Sequence, residues 1–347
     1  MSHLSHLSTN LAAARAPTSL VVLTAACVLL CLSGVAFGSS WIPIDQVAAT
    51  ILGAGEKTQK LIVLQLRLPR VVIAAIAGGA MATAGFLLQK ITRNSLASPG
   101  ILGVIDGAAL GVVIFLALLS DESNALVTSI AYQPVAAMVG AALGITLVFA
   151  LSGRQSNSAI RLLLFGIAVG AVFKALVMVL MLIGPIYRTS QAARWIAGAV
   201  NEINWSEIQV TALMLLPLLV LSLIVARKLP PADLDETSAR SVGLDLPVFR
   251  ILIFALAAAL TAVAVAFVGG VGFIGLMAPH LARLLVGRSV YAGLIGSFLL
   301  GALMLVGADL IVRVLFSPVE VPAGTVTAVI GAPYFLFLLM SRQRHDG

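Results

Sequence analysis

Charge is what this sequence has least of. Only 10% of its 347 residues are Asp, Glu, Lys or Arg, against 60% that are apolar. Soluble domains carry roughly 25% charged residues. No globular core needs so large an apolar excess, so the bilayer must act as solvent. The length then does not mean two or three soluble domains. It fits one bundle of about ten helices. The apolar runs are continuous rather than alternating, which speaks against a β-barrel. Cysteine is nearly missing. Cys27 and Cys31 lie one turn apart in the first apolar run and read as packing residues, not as a disulfide or metal pair. The histidines His3, His6, His280 and His345 share no metal-ligand spacing. There is no G-x-x-x-x-G-K-[ST] phosphate loop, so any energy source is another polypeptide or an ion gradient. The net charge of +7 comes from bases scattered among loops, without a basic block. That pattern suits loops beside membrane lipid and gives nucleic acid nothing to bind.

What is there is a run of apolar segments. Residues 1–18 form a polar leader, and the run 19–37 is long enough to span. A signal peptide is the competing reading, but Ala36, Phe37 and Gly38 make a poor cleavage site and the leader is long, which favours a retained helix. Residues 38–69 read as an outer loop with Trp41 at the membrane edge. Further spans are expected at 70–90, 101–119, 132–151, 159–183, 208–226, 249–268, 273–287, 292–316 and 325–340, with 187–206 as an interfacial helix carrying Trp195 and Trp205. Short turns are expected at Asp121–Ser123 and after residue 151. Gly78, Ala82 and Gly85 fall on one face of the second span, a spacing that lets helices approach closely. The pentapeptide GAALG occurs at 107–111 and 140–144, which in Gly/Ala-rich helices reads as coincidence. Ten spans place both termini on one side. Thirteen of the 21 Lys and Arg residues fall there and seven on the other side, with Lys174 inside the membrane. The bias makes the termini cytoplasmic.

The polar residues concentrate in a few places. The longest inner loop, 227–250, carries as many acids as bases. Asp233 and Glu236 have capping-box spacing for a helix over 234–242, Gly243 suits its stop, and Asp245 with Pro247 suits the next start. Helix, glycine, helix is either a docking shape or a solvated connector. Arg67 and Arg70 open the second span, where the positive end of the helix dipole disfavours a cation and calls for an acidic partner or lipid phosphate. Asp309 precedes Arg313 by four residues, so the two share a face and read as a structural pair. Lys174, mid-span, must face a wet cavity or a partner; Asp309 lies at similar depth. Asp106 reads as a packed polar residue near a helix end, and His280 with Arg283 as structural.

Three stretches carry a resemblance. The first is LRLPRVVIAAIAGGAMATAGFLLQKITRNSLASPGILG, with Asn94, Leu96, Ala97 and Pro99 in its polar loop 89–100. The second is GFIGLMAPHLARLLVG around His280, and the third is VPAGTVTAVIGAPYFLFLL at 321–339, with the W-x-x-G of Trp195 to Gly198 between. Together they resemble the FecCD family, permease subunits of ABC importers for ferric siderophores, haem and cobalamin. Ser95 departs from the proline usual there. The resemblance implies an all-α polytopic membrane protein of the type II ABC importer permease fold, one transmembrane domain over 1–347. It implies two ATP-binding cassette subunits, which bind the ATP and Mg while this chain binds no cofactor and is no enzyme. It implies a substrate-binding protein and a second permease copy or paralogue. By the same resemblance Arg67, Arg70 and Arg313 receive the binding protein. The segment with Asp233, Asp235, Glu236, Ala239, Arg240, Gly243 and Leu244 couples to the ATPase, and Asn94 and Leu96 form the cytoplasmic gate. Lys174 matches no motif of the family; its mid-span position reads either as a cation held by a partner or as a pore-facing cation that favours an anionic iron chelate. Ferric siderophore is the first substrate, with haem or cobalamin as alternatives. An ion-gradient-driven secondary transporter is the reading from another class, opposed by the sparse intramembrane acids.

Overall fold

The computed structural model describes residues 2–343, apart from 39, 121–125, 154–158, 185, 201–202, 288 and 320. The two expected turns at Asp121–Ser123 and 154–158 therefore lie outside the described residues. Among those described, every regular element is helical, and the one β contact is an isolated bridge between Ser120 and Leu126. In chain order the helices are α1 (Ser2–Ala36), α2 (Ile44–Ile51), α3 (Lys57–Lys60), α4 (Leu68–Thr92), α5 (Val104–Leu118), α6 (Gln133–Ser152) and α7 (Ala159–Ile183). They continue with α8 (Ile186–Ile196), α9 (Trp205–Ala226), α10 (Glu236–Ser241), α11 (Leu246–Val268), α12 (Ile274–Val286), α13 (Val290–Leu315) and α14 (Ala323–Gln343).

Seven helical columns among the described residues are long and apolar enough to cross a membrane, and three shorter apolar helices, Val104–Leu118, Ile274–Val286 and Ala323–Phe337, fall at the other expected spans. Backbone at the ends explains two of the short ones. A 3-10 turn, Pro99–Leu102, takes the first residues of the expected third span and ends in Gly103 at φ 71°. Phe273 and Gly287, both at positive φ, bracket α12. The expected outer loop 38–69 is largely helical instead. It holds α2, α3 and a π-helical stretch, Leu61–Arg67, that runs straight into α4. The widened turn sits just before Pro69, whose ring offers no N–H to the carbonyl one turn back. The leader likewise continues the first span as one helix, α1.

Helix α4 is the centre. It is buried almost all round and packs on α13, α11, α12 and α9. Glycine allows the approach: a Cβ on Gly78 would sit 2.4 Å from the Gly301 oxygen, and one on Gly85 1.8 Å from the Gly275 oxygen. The small-residue face expected at Gly78, Ala82 and Gly85 is thus a helix crossing. A second crossing joins α5 and α6. The two GAALG pentapeptides pack against each other where α5 meets α6, with Cβ positions on Gly107 and Gly140 falling 2.4 and 2.1 Å from the opposite glycine oxygen. On the perimeter, α7 and α9 expose Leu182, Ile183, Met178 and Leu213, an apolar coat that water would not tolerate.

Candidate functional sites at the two ends of α4

Twenty-five residues at about 1.5 Å each make α4 about 37 Å long, the depth of a bilayer. Arg67 caps its start, Arg70 lies in its first turn, and its last residue leads into Arg93. The predicted polar residues gather at these two ends, with one exception.

At the first end, Asp309 of α13 is fully buried between two arginines. Its Oδ1 lies 2.6 Å from Arg70 Nε and its Oδ2 2.9 Å from Arg313 Nε. The expected Asp309–Arg313 pair is present, and Arg70 joins it from another helix. Arg313 also donates to the Gly34 carbonyl at 2.9 Å. Arg67 is buried and donates to the carbonyls of Val35 (3.0 Å) and Ala36 (2.8 Å) and to the Ser40 hydroxyl (3.0 Å). It therefore ties the end of α1 to the start of α4. All three arginines line one depression of about 280 Å³ with Ser40, Ser317 and Val319. Three guanidiniums against one carboxylate leave this pocket cationic, and none of the described residues lining it is acidic.

The exception is Lys174. Its partner is Asp106 of α5, at 3.6 Å, and not Asp309. The reason is packing: α7 lies on α5, while α13 lies on α4. Gly170, one turn before Lys174, makes the space, since a Cβ there would sit 2.6 Å from Asp106 Oδ2. The lysine side chain is 73% exposed, beside a cavity of about 510 Å³ lined by Val177, Met178, Met181 and Ile196.

At the far end α4 stops in Arg93, which adopts a left-handed φ of 53°. Asn94 follows, exposed, and its side-chain oxygen accepts from the Leu96 N–H at 2.9 Å. This Asx turn fixes the loop that presents Asn94 and Leu96. Ser95, where a proline is usual, is buried. Across from the loop, Pro231–Asp233 forms a 3-10 turn, Leu234 is extended, and Asp235 caps α10 by accepting from the Ser238 N–H at 3.1 Å. The cap is therefore Asp235 and not Asp233, because Pro230 and Pro231 draw Asp233 into the preceding turn. The hydrogen bonds from Ser238 hold the Asp235 carboxyl below its ordinary range. Helix α10 ends as expected at Gly243, φ 80°, with Gly243 N–H on the Arg240 carbonyl (3.0 Å) and Leu244 N–H on the Ala239 carbonyl (2.9 Å). This pair of bonds is a Schellman stop. Asp245 then caps α11 through the Val248 N–H at 3.2 Å, with Pro247 in the first turn. Ala239 and Leu244 are buried, while Asp233, Glu236 and Arg240 are exposed. Arg93 donates across the gap to the Ala232 carbonyl at 3.0 Å and to the Leu234 carbonyl. Sequence reasoning missed this contact, because its acceptors are backbone oxygens.

Near the same end, Gln89 of α4 donates to the Leu276 carbonyl at 3.0 Å and accepts from Arg283 at 3.1 Å. The stretch around His280 thereby bolts α12 to α4, the structural role expected of it. Trp195 departs from expectation. It is buried at the end of α8, so its indole is not presented to headgroups. Trp205 instead opens α9 and donates to the Leu64 carbonyl at 2.8 Å.

The FecCD transport family model matches residues 24–341. The chain belongs to the FecCD transport family. This FecCD chain is 42% identical over 320 residues to the "Probable siderophore transport system permease protein YfhA" of Bacillus subtilis, covering 92% of both chains. It is 32% identical to the ferric enterobactin transport system permease protein FepG of Escherichia coli, over 93% of this chain and 96% of that one. It is 37% identical to the hemin transport system permease protein HmuU of Yersinia pestis, over 82% and 84%. A solved structure described as an inward-facing, metal-chelate type ABC transporter superposes with a TM-score of 0.83 at 28% identity, covering 94% of this chain and 99% of that one. The three resemblances stated from sequence fall within the matched span, and the FecCD chain is a multi-pass membrane transport subunit rather than an enzyme.

Proposed function

We propose that the chain is the permease subunit of an ATP-driven importer and carries a ferric siderophore. The observation that carries this reading is the near full-length likeness to a siderophore transport permease, YfhA. Ten spans with both termini cytoplasmic agree with ten apolar helices, the three short ones included, and with the excess of Lys and Arg on that side. Two such chains, or one and a paralogue, enclose the path. Two ATPase subunits bind and hydrolyse ATP with Mg and meet the α10 segment through Asp233, Asp235, Glu236, Arg240 and Gly243, with Ala239 and Leu244 anchoring it from beneath. Its double cap makes it a preformed shape to grip. A substrate-binding protein brings acidic groups to the cationic pocket. Arg70 and Arg313 present charge there, and Arg67 adds charge while holding the rim. Asn94 and Leu96 close the path near the ATPases. Lys174, exposed within the span beside Asp106, faces the chelate on its way through.

The test is radio-iron uptake by a strain lacking this chain, over a panel of ferric siderophores, with haem and cobalamin utilisation alongside. Loss for one siderophore class is the expected result. Normal iron uptake with lost haem or cobalamin use would refute the substrate and keep the importer. Uptake that follows the membrane gradient instead of ATP would refute the importer. Charge reversal at Arg70 and Arg313 that leaves binding-protein-dependent uptake untouched would remove the docking role.

A further inference from the structure

We infer that Arg93 is the mechanical link between the α10 segment and the Asn94–Leu96 loop, a positioning residue for transport. The inference rests on the importer reading and adds a residue to it. Arg93 is the C-cap of α4 and sits at φ 53°, a conformation in which glycine is the natural occupant. A side chain placed there against backbone preference does work that glycine cannot. Its guanidinium donates to the carbonyls of Ala232 and Leu234. These two residues flank Asp233, and Leu234 directly precedes Asp235, the cap of α10. One residue on from Arg93, the chain enters the Asx turn that presents Asn94 and Leu96. A displacement of the α10 segment thus reaches the loop through the Arg93 side chain. The remaining geometry makes that path stiff. Ala232 and Leu229 are buried, so the turn holding the two acceptors is anchored. Beneath the loop Ala97 N–H bonds back to the Asn94 carbonyl at 3.1 Å. Both acceptors are backbone oxygens, so the clamp responds to where α10 sits and to nothing in its side chains. Both bonds come from one terminal nitrogen, Nη2, so the clamp needs a donor with two hydrogens at the end of a long side chain, which a lysine ammonium can supply in part.

The test is Arg93→Gly, which suits the left-handed cap better and removes only the clamp. In reconstituted importer with its ATPase, Arg93→Gly should assemble and hydrolyse ATP, while substrate moved per ATP falls about tenfold. Arg93→Lys should recover part of the loss. Transport per ATP at the wild-type level in Arg93→Gly would overturn the inference. A second readout needs no partner. With Cys27 and Cys31 replaced by alanine, spin labels at Thr237→Cys and Ser98→Cys report the distance between α10 and the loop. The clamped chain should give a narrow distribution and Arg93→Gly a broad one. Equal widths would overturn the clamp, whereas wild-type importer without ATP-driven uptake would overturn the functional reading and leave the width comparison to decide the clamp.

Discussion

Removing the Asp309 carboxylate should destabilise the fold more than any other single polar deletion here. Asp309 is wholly buried and holds two cations, Arg70 at 2.6 Å and Arg313 at 2.9 Å. At a charge separation of about 4 Å and an effective dielectric of about 20, each attraction is about 4 kcal/mol before desolvation is subtracted. In Asp309→Leu both attractions vanish and two guanidiniums remain close together with no counter-charge. Breaking a buried pair this way costs about 3–5 kcal/mol. That corresponds to a drop on the order of 5–10 °C in apparent melting temperature. The assay is thermal unfolding of the detergent-purified chain, followed by loss of the monodisperse peak on size exclusion. The double variant Asp309→Leu with Arg313→Leu separates charge from packing. It leaves Arg70, which is partly exposed and reaches the aqueous edge, so it should recover about half of the loss. A single variant that melts within about 1 °C of wild type would refute the reasoning.

Three further outcomes are expected. Gly140→Leu should abolish recovery of folded protein, because its side chain would enter backbone 2.1 Å away, while Gly272→Ala, with nothing within 4 Å, should fold normally; equal yields would sink the crossing. The depressed Asp235 carboxyl stabilises the α10 cap above its unfolded-state range and loses that contribution as pH falls through its lowered folded value. Relative to the intrinsic exchange rate, which itself falls with pH, the protection of the α10 amides should therefore drop on acidification in wild type and change less in Asp235→Asn, which keeps a cap at all pH. Lys174→Met should reduce uptake of an anionic chelate more than of a neutral one, and an equal effect on both would remove its charge role.

The caps were legible in advance where they are local. Gly243 and Asp245 act within four residues of themselves, so spacing alone identifies them. Asp233 misled for a local reason too: two prolines upstream set a 3-10 turn that moved the cap to Asp235. Trp195 misled because burial of an indole is set by the elements that pack beside it, which the local sequence does not show.

By itself the sequence determined the solvent, the spans and the family. The solvent and the apolar runs rest on composition and run length, which the bilayer imposes on any chain that crosses it, while the family rests on the three motif stretches that resemble it. Only the tertiary structure decided which charges meet. Arg70 and Asp309 stand 239 residues apart, and Lys174 chooses Asp106 over Asp309 because α7 lies on α5. Depth along a helix can be counted from sequence, but the direction in which a helix turns its face depends on its neighbours. The Arg93 clamp was hidden for a further reason: a carbonyl oxygen is present at every position, so no residue type marks the two that receive it.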